Sequence, residues 1–177
     1  TRDELPQSAG GRTNMPTEPK FIPNEAVEIS LGYNAHLKVR MIDCVGYIVD
    51  SSLGYVEDNE PRMVTTPWFD HPIAFNEAAE IGTKKVICEH STIGLVVTTD
   101  GTITEIDRND YVDAENRVIN ELKAINKPFI VLLNSVAPNS QSAQNLKAEL
   151  EAKHGVPVVA VNCEELNAAD IHNIIET

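Results

Sequence analysis

The chain has 177 residues, 42% hydrophobic and 23% charged, enough for one globular domain with a substantial core. Its net charge of -13, from 14 basic and 27 acidic residues, argues against a duplex-binding surface, which needs clustered Lys and Arg; no basic cluster is longer than Lys84-Lys85. No apolar run reaches the ~18 residues of a membrane span, no signal-peptide pattern is present, and Cys44, Cys88 and Cys163 read as scattered, reduced thiols of a cytosolic protein.

The first residue is Thr1 rather than Met, so a piece of something longer is expected. Residues 1–25 hold Pro6, Pro16, Pro19 and Pro23 with Gly10 and Gly11, an irregular or extended segment. "AVEISL" (26–31) alternates like a strand, "GYN" supplies a turn, and His36 to Asp43 alternates before turning fully apolar. These two strands predict an antiparallel hairpin with Leu37, Val39 and Met41 on one face. Residues 50–72 lack a clear period and read as a long loop, the moving part expected to order with nucleotide. A helix is expected from about Glu77 to Glu89. Cys88 and His90 lie too close to face one another on it, so they make a poor zinc pair.

"TIGLVVTTDG" (92–101) is a short buried strand. Tyr111, Ala114, Val118, Ile119, Leu122 and Ile125 have helical spacing, with Asp110 as the cap. "PFIVLLN" is a strand. Residues 140–154 form a helix capped by Ser140 and stopped by Gly155, "VPVVAVN" is a last strand, and 167–176 form a short helix. The second half thus alternates strand and helix, with strands apolar on both faces, the habit of a parallel sheet covered on both sides.

Functional groups in open α/β sheets gather beyond the carboxyl ends of strands. "IDCVG" places Asp43 there, with Gly46 three residues on. In P-loop nucleotide hydrolases an Asp so placed holds Mg²⁺, and the Gly lets a backbone N–H approach the terminal phosphate. The same spacing also suits a plain strand-end turn capped by Asp43. Upstream, Thr17 in "RTNMPTEPKFIPN" stands where this class keeps a switch threonine that coordinates Mg²⁺, or is a threonine in a solvated loop. GTPases of this class end a later strand with Asn-Lys-x-Asp. Here the strand ends Asn134-Ser135-Val136-Ala137, which keeps the Asn and lacks the guanine-pairing Asp, so adenine nucleotide is inferred. Asp100, at another strand end, also points toward the crevice.

A phosphate cradle would need G-x-x-x-x-G-K-[ST] after a buried strand, and "AGGRT" (9–13) fails this: Pro6 takes the first Gly position and Arg12 the Lys position. The first strand, the P-loop and the first helix are therefore read as missing. That strand would lie mid-sheet, where each buried side chain is worth ~1.5–3 kcal/mol. The fragment alone is expected to be marginal, to close up, or to pair with another chain.

"DELPQSAGGRTNMPTEPKFIPN", "DCVGY", "HPIAFNEAAEIGTKKVICEHSTIG", "TTDGTI" and "KPFIVLLNSVAPNS" resemble the stage IV sporulation protein A family of spore-forming Firmicutes through nearly the whole chain. The resemblance implies an α/β, P-loop NTPase-like three-layer sandwich of translation-factor GTPase lineage: a mostly parallel sheet with an antiparallel hairpin edge. It implies a cytoplasmic ATPase on the forespore surface in the mother cell. ATP hydrolysis with Mg²⁺ would drive self-polymerisation into the base layer of the spore coat. Its partners would be copies of itself, other coat proteins and a small membrane-bound amphipathic anchor, with no nucleic acid. Asp43 matches the family's Mg²⁺-associated acid and Thr17 the second of a threonine pair whose first member is Pro16 here. Asn134 and Ser135 fall at the base-contact position. The catalytic Lys and the C-terminal assembly region have no counterpart, so the fragment alone is expected to be inactive. Two other readings compete: a polymerising scaffold with a vestigial nucleotide site, and a translation-type GTPase.

Overall fold

Alternating residues and short apolar runs set the elements. The computed structural model describes residues 20–31, 35–49, 56–57, 60–66 and 68–177. They divide into two units, one of the described residues up to 30, 36–48 and 56–91, the other of the described residues 31, 35, 49 and 92–177.

In the first unit β1 (Lys20–Leu31) and β2 (Ala35–Asp43) pair with each other in a two-stranded sheet. Ser30 Oγ lies 3.1 Å from His36 Nδ1, and Arg40 Nη1 donates to the Asn24 carbonyl at 3.4 Å, side-chain contacts between the two strands. The resemblance implied a hairpin at the edge of the parallel sheet, and the alternation put Leu37, Val39 and Met41 on one face. The hairpin instead forms its own sheet, and Leu37 and Met41 stay exposed at 43% and 59%. No described strand supplies a ladder between β2 and the parallel sheet.

Residues 50–72 also differ from the loop expected. Their described part holds β3 (Val56–Glu57) paired with β4 (Glu60–Pro61), and β5 (Met63–Val64) paired with β6 (Ile73–Ala74), both antiparallel. Two-residue strands leave too few positions for a readable alternation. Val64 and Ile73 pack with Ala78 and Ala79 of α1 (Phe75–Lys85) into this unit's core. The helix continues as a π-turn, Val86–His90. Trp68 lies close enough to Gly82 that a Cβ there would sit 3.2 Å from its ring.

The second unit holds β7 (Gly94–Thr99), α2 (Arg108–Ala124), β8 (Phe129–Asn134), α3 (Gln141–His154), β9 (Val158–Val161) and α4 (Ala168–Glu176). The strands are parallel in the order β7-β8-β9, with Val96 opposite Val131 and Val131 opposite Val158. Short runs of Val, Ile and Leu at these positions suit a sheet buried by crossover helices. Helix α2 covers the face of Gly94, Val96 and Thr98, where a Cβ on Gly94 would come 3.3 Å from Leu122. Leu132, Val159 and Val161 face the other way, against Ile174 of α4. Helices therefore lie on both faces of this sheet, as expected. On β7, however, Leu95 and Val97 are 42% and 58% exposed, because α4 sits over β8 and β9.

Helix α3 ends where the sequence predicts, and α2 is corrected at both ends. Ser140 Oγ accepts the Ala143 N–H at 3.3 Å, and Gly155 closes α3 at φ +62°, a left-handed cap that favours glycine. Asp110 was expected to cap α2, but the N-cap is Asp107, without a side-chain cap bond, and Asp110 lies in the first turn. There its charge still complements the helix dipole. Ile125 falls past the helix end and is 44% exposed, so the inward set stops at Leu122.

An ionic cluster lies beneath α2 and α3. Glu115, 4% exposed, accepts Thr98 Oγ1 at 2.7 Å and Arg108 Nη2 at 2.9 and 2.8 Å on its two oxygens. His154, at the end of α3, is 8% exposed, and its Nε2 lies 3.9 Å from Glu115. Lys123 Nζ donates to the His154 carbonyl. Burial pushes the His154 imidazole below its ordinary value, with Lys153, Lys123 and Arg108 adding to the shift and Glu115 opposing it. The folded chain thus favours neutral His154, while the unfolded chain takes up a proton near pH ~6.5. Stability carried by this group is complete above that pH and falls as pH drops toward the lower folded value. Chemical denaturation between pH 8 and 5 should show this loss, and His154→Gln should flatten it. An equal slope in the variant would assign the loss to other groups.

Candidate functional site

Two sets of strand-end residues carry the candidate chemistry, one in each unit. In the first, β2 ends at Asp43, an exposed side chain, and the chain leaves the strand through Cys44 and Val45. Gly46 turns it at φ +79°, a conformation that side chains with a Cβ rarely adopt. The Gly46 N–H donates to Thr83 Oγ1 of α1 at 3.0 Å, and Thr83 is 3% exposed. The structure therefore gives this N–H a partner within the protein, which the spacing did not anticipate. Thr17 and Pro16 lie outside the described residues. Among the described residues, no three His, Cys, Asp or Glu side chains group closely enough to hold a metal ion.

In the second unit the carboxyl ends of β7, β8 and β9 are laced together. The Asn134 side-chain carbonyl accepts the Cys163 N–H at 2.9 Å, joining the ends of β8 and β9. The Asn134 backbone carbonyl accepts the Asp100 N–H at 3.3 Å, and the Ser135 N–H reaches the Val161 carbonyl at 2.9 Å. Ser135 is 1% exposed, and its Oγ accepts the Ala137 N–H at 3.1 Å. Ser135 is thus buried inside the loop, while Val136 beside it is 58% exposed.

Asp100 lies at the centre of this lacing. Its Oδ1 accepts the Thr102 N–H at 3.0 Å and the Thr102 hydroxyl at 2.6 Å. Thr102 Oγ1 in turn accepts the Val136 N–H at 3.0 Å. Burial alone would raise the Asp100 carboxyl, but hydrogen bonds from Ser135 and Thr102 outweigh it and hold the group below its ordinary value. It is therefore ionised at neutral pH. "DGT" carried a signal for part of this, since an Asp side chain commonly accepts the N–H two residues on. Nothing in the sequence pointed to the bond across to Val136, 34 residues away, or to Thr83. Hydroxyls leave no periodic trace.

A parallel sheet with helices on both faces and polar loops collected at its strand ends defines the second unit as an open α/β sheet, the arrangement in which ligands, where bound, lie beyond the carboxyl ends of the strands. The chain belongs to the stage IV sporulation protein A family, whose ATPase-domain model matches residues 1–177. It is similar to stage IV sporulation protein A of Bacillus anthracis, with 53% identity over 98% of this chain, and of Bacillus subtilis (strain 168), with 50% identity over 98%. The Clostridioides difficile (strain 630) protein of that name is 53% identical over 99% of this chain. The chain spans only 35–36% of the length of these relatives. No solved structure matches. No helix among the described residues is long and apolar enough to cross a membrane.

Proposed function

We propose that the full-length protein is a Mg²⁺-dependent ATPase of the P-loop, translation-factor lineage. Its cycle drives self-assembly into the base layer of a spore coat. The observation that carries this reading is Asp43 at the carboxyl end of β2, with Gly46 at φ +79° three residues on. The family description adds an ATPase domain, and the relatives' names add sporulation. Mg²⁺ keeps several waters and takes one or two carboxylates plus substrate phosphates. A single exposed carboxylate fits that demand without a cage of acids. Asp43 and Thr17 would hold the ion, which when bound neutralises charge developing on the phosphates. Gly46 would donate its N–H to the terminal phosphate once Thr83 releases it. The loop of Asn134 and Ser135 would meet the base, and Ala137, which has no carboxylate, leaves guanine unrecognised. The partners are further copies of the chain, other coat proteins and a small membrane-bound amphipathic anchor. The site of action is the mother-cell cytoplasm at the forespore surface.

One observation favours the second reading, a scaffold with a vestigial site: the Gly46 N–H is already donated to Thr83 Oγ1. Turnover of ATP and GTP by the full-length protein separates the two. The ATPase reading expects ATP turnover well above GTP turnover, and its loss in Thr17→Ala. Negligible turnover of both nucleotides would establish the scaffold, and a GTP preference would overturn the adenine assignment.

A further inference from the structure

We infer that Asp100 and Thr102 are positioning residues for the nucleotide base, acting through the loop that follows β8; this rests on the ATPase reading above. A hydroxyl relay runs from that loop to one carboxylate: the Val136 N–H donates to Thr102 Oγ1 at 3.0 Å, and the Thr102 hydroxyl donates to Asp100 Oδ1 at 2.6 Å. Beside it, the Ala137 N–H donates to Ser135 Oγ at 3.1 Å, a bond that stays within the loop. A backbone amide of the loop is thereby tied to an anion on the neighbouring strand end, and the next amide is held inside the loop by Ser135. The Thr102 hydroxyl accepts from the amide and donates to the carboxylate, so the relay is polarised in one direction. Hydrogen bonds to an ionised acceptor are about twice as strong as neutral ones.

The geometry sets the loop's shape without placing a charge on its outer side. Val136 is left 58% exposed and Ala137 exposed beside it, an apolar ledge at the carboxyl end of β8. Asn134 is held at the loop's root by its bond to the Cys163 N–H. A flat purine needs such a ledge in a repeatable position, with few polar groups. In this chain the acid that organises the loop comes from the neighbouring strand end, at Asp100. Being engaged from within the protein, that carboxylate is withheld from the base. Its role is to hold the ledge.

The test uses the full-length protein and steady-state turnover of ATP and GTP. Asp100→Ala removes the relay's acceptor and should raise the KM for ATP about 10-fold or more, the equivalent of losing a hydrogen bond to a charged group. It should also narrow the ATP-over-GTP preference, with kcat within about twofold, because the phosphate-handling groups are untouched. Thr102→Val breaks the relay at its hydroxyl, while leaving the carboxylate in place, and should show the same split. Asp100→Asn keeps an acceptor for Thr102 and should restore part of the affinity. Unchanged KM and base preference in Asp100→Ala, with wild-type turnover intact, overturn the inference and leave the ATPase reading standing. A fall in kcat alone also overturns it. Should Asp100→Ala fail to fold by circular dichroism, Thr102→Val decides: an unchanged KM and selectivity there refute the positioning role. A wild-type protein without ATP turnover removes the ATPase reading and this inference together.

Discussion

Replacing Asp43 by Ala in the full-length protein should lower ATP turnover by about 10²–10³-fold, the loss typical of removing one charge-stabilising group from a reaction centre. The reasoning is electrostatic. Phosphoryl transfer develops charge on phosphate oxygens, and a metal ion held in place is the largest local counter-charge. Asp43 is the candidate carboxylate at that strand end, and its exposed side chain leaves room for the ion's waters. A carboxylate acting only as a turn cap would behave differently: its loss would cost stability and leave kcat nearly unchanged. Asp43→Asn sharpens the comparison, since an amide can cap a turn but makes a poor Mg²⁺ ligand. Turnover that falls in both variants, with unaltered thermal melts, supports the metal role. Turnover preserved in Asp43→Asn assigns the residue to the turn.

The second large effect belongs to stability. Glu115→Ala should destabilise the unit of β7, β8 and β9 by about 3–5 kcal/mol, as breaking a buried ion pair from one side does. Glu115 is 4% exposed, and its loss leaves the Arg108 guanidinium and the Thr98 hydroxyl without their shared acceptor. Set against a domain stability of about 5–15 kcal/mol, the change should be plain in urea denaturation. Arg108→Met combined with Glu115→Leu should recover most of it, because two well-packed apolar side chains avoid the desolvation penalty. A cost below about 1 kcal/mol in Glu115→Ala would mean that solvent screens the pair as on a surface. The cluster also bears on the acid response of His154, since Glu115 Oε1 lies 3.9 Å from its Nε2. Removing Glu115 takes away the one neighbour favouring the charged imidazole, so the acid loss should steepen in the variant.

The second unit was legible because its elements obey simple periods. Val131 and Leu133 on one face of β8, with Leu132 on the other, read as a run buried on both sides, and both faces carry helices. Ser140 and Gly155 marked the ends of α3 by their own chemistry, a hydroxyl acceptor and freedom at positive φ. The first unit was less legible. Leu37 and Met41 alternate as a buried face should, yet remain exposed: alternation reports which residues share a face and not what covers it. The pairs β3–β4 and β5–β6 are too short for any period.

The sequence by itself determined the strand-helix alternation of the second half, the acid and glycine after β2, the absence of a carboxylate at Ala137, and the family. These are local or contiguous features, carried by residue type and spacing. Only the tertiary structure decided that the Gly46 N–H meets Thr83, that Ser135 faces inward, and that the Asp100 carboxylate is tied through Thr102 to the Val136 amide of a distant loop. Such contacts join short polar side chains far apart in the chain. Their bonds depend on where packing delivers the backbone, and packing is set by the apolar residues around them.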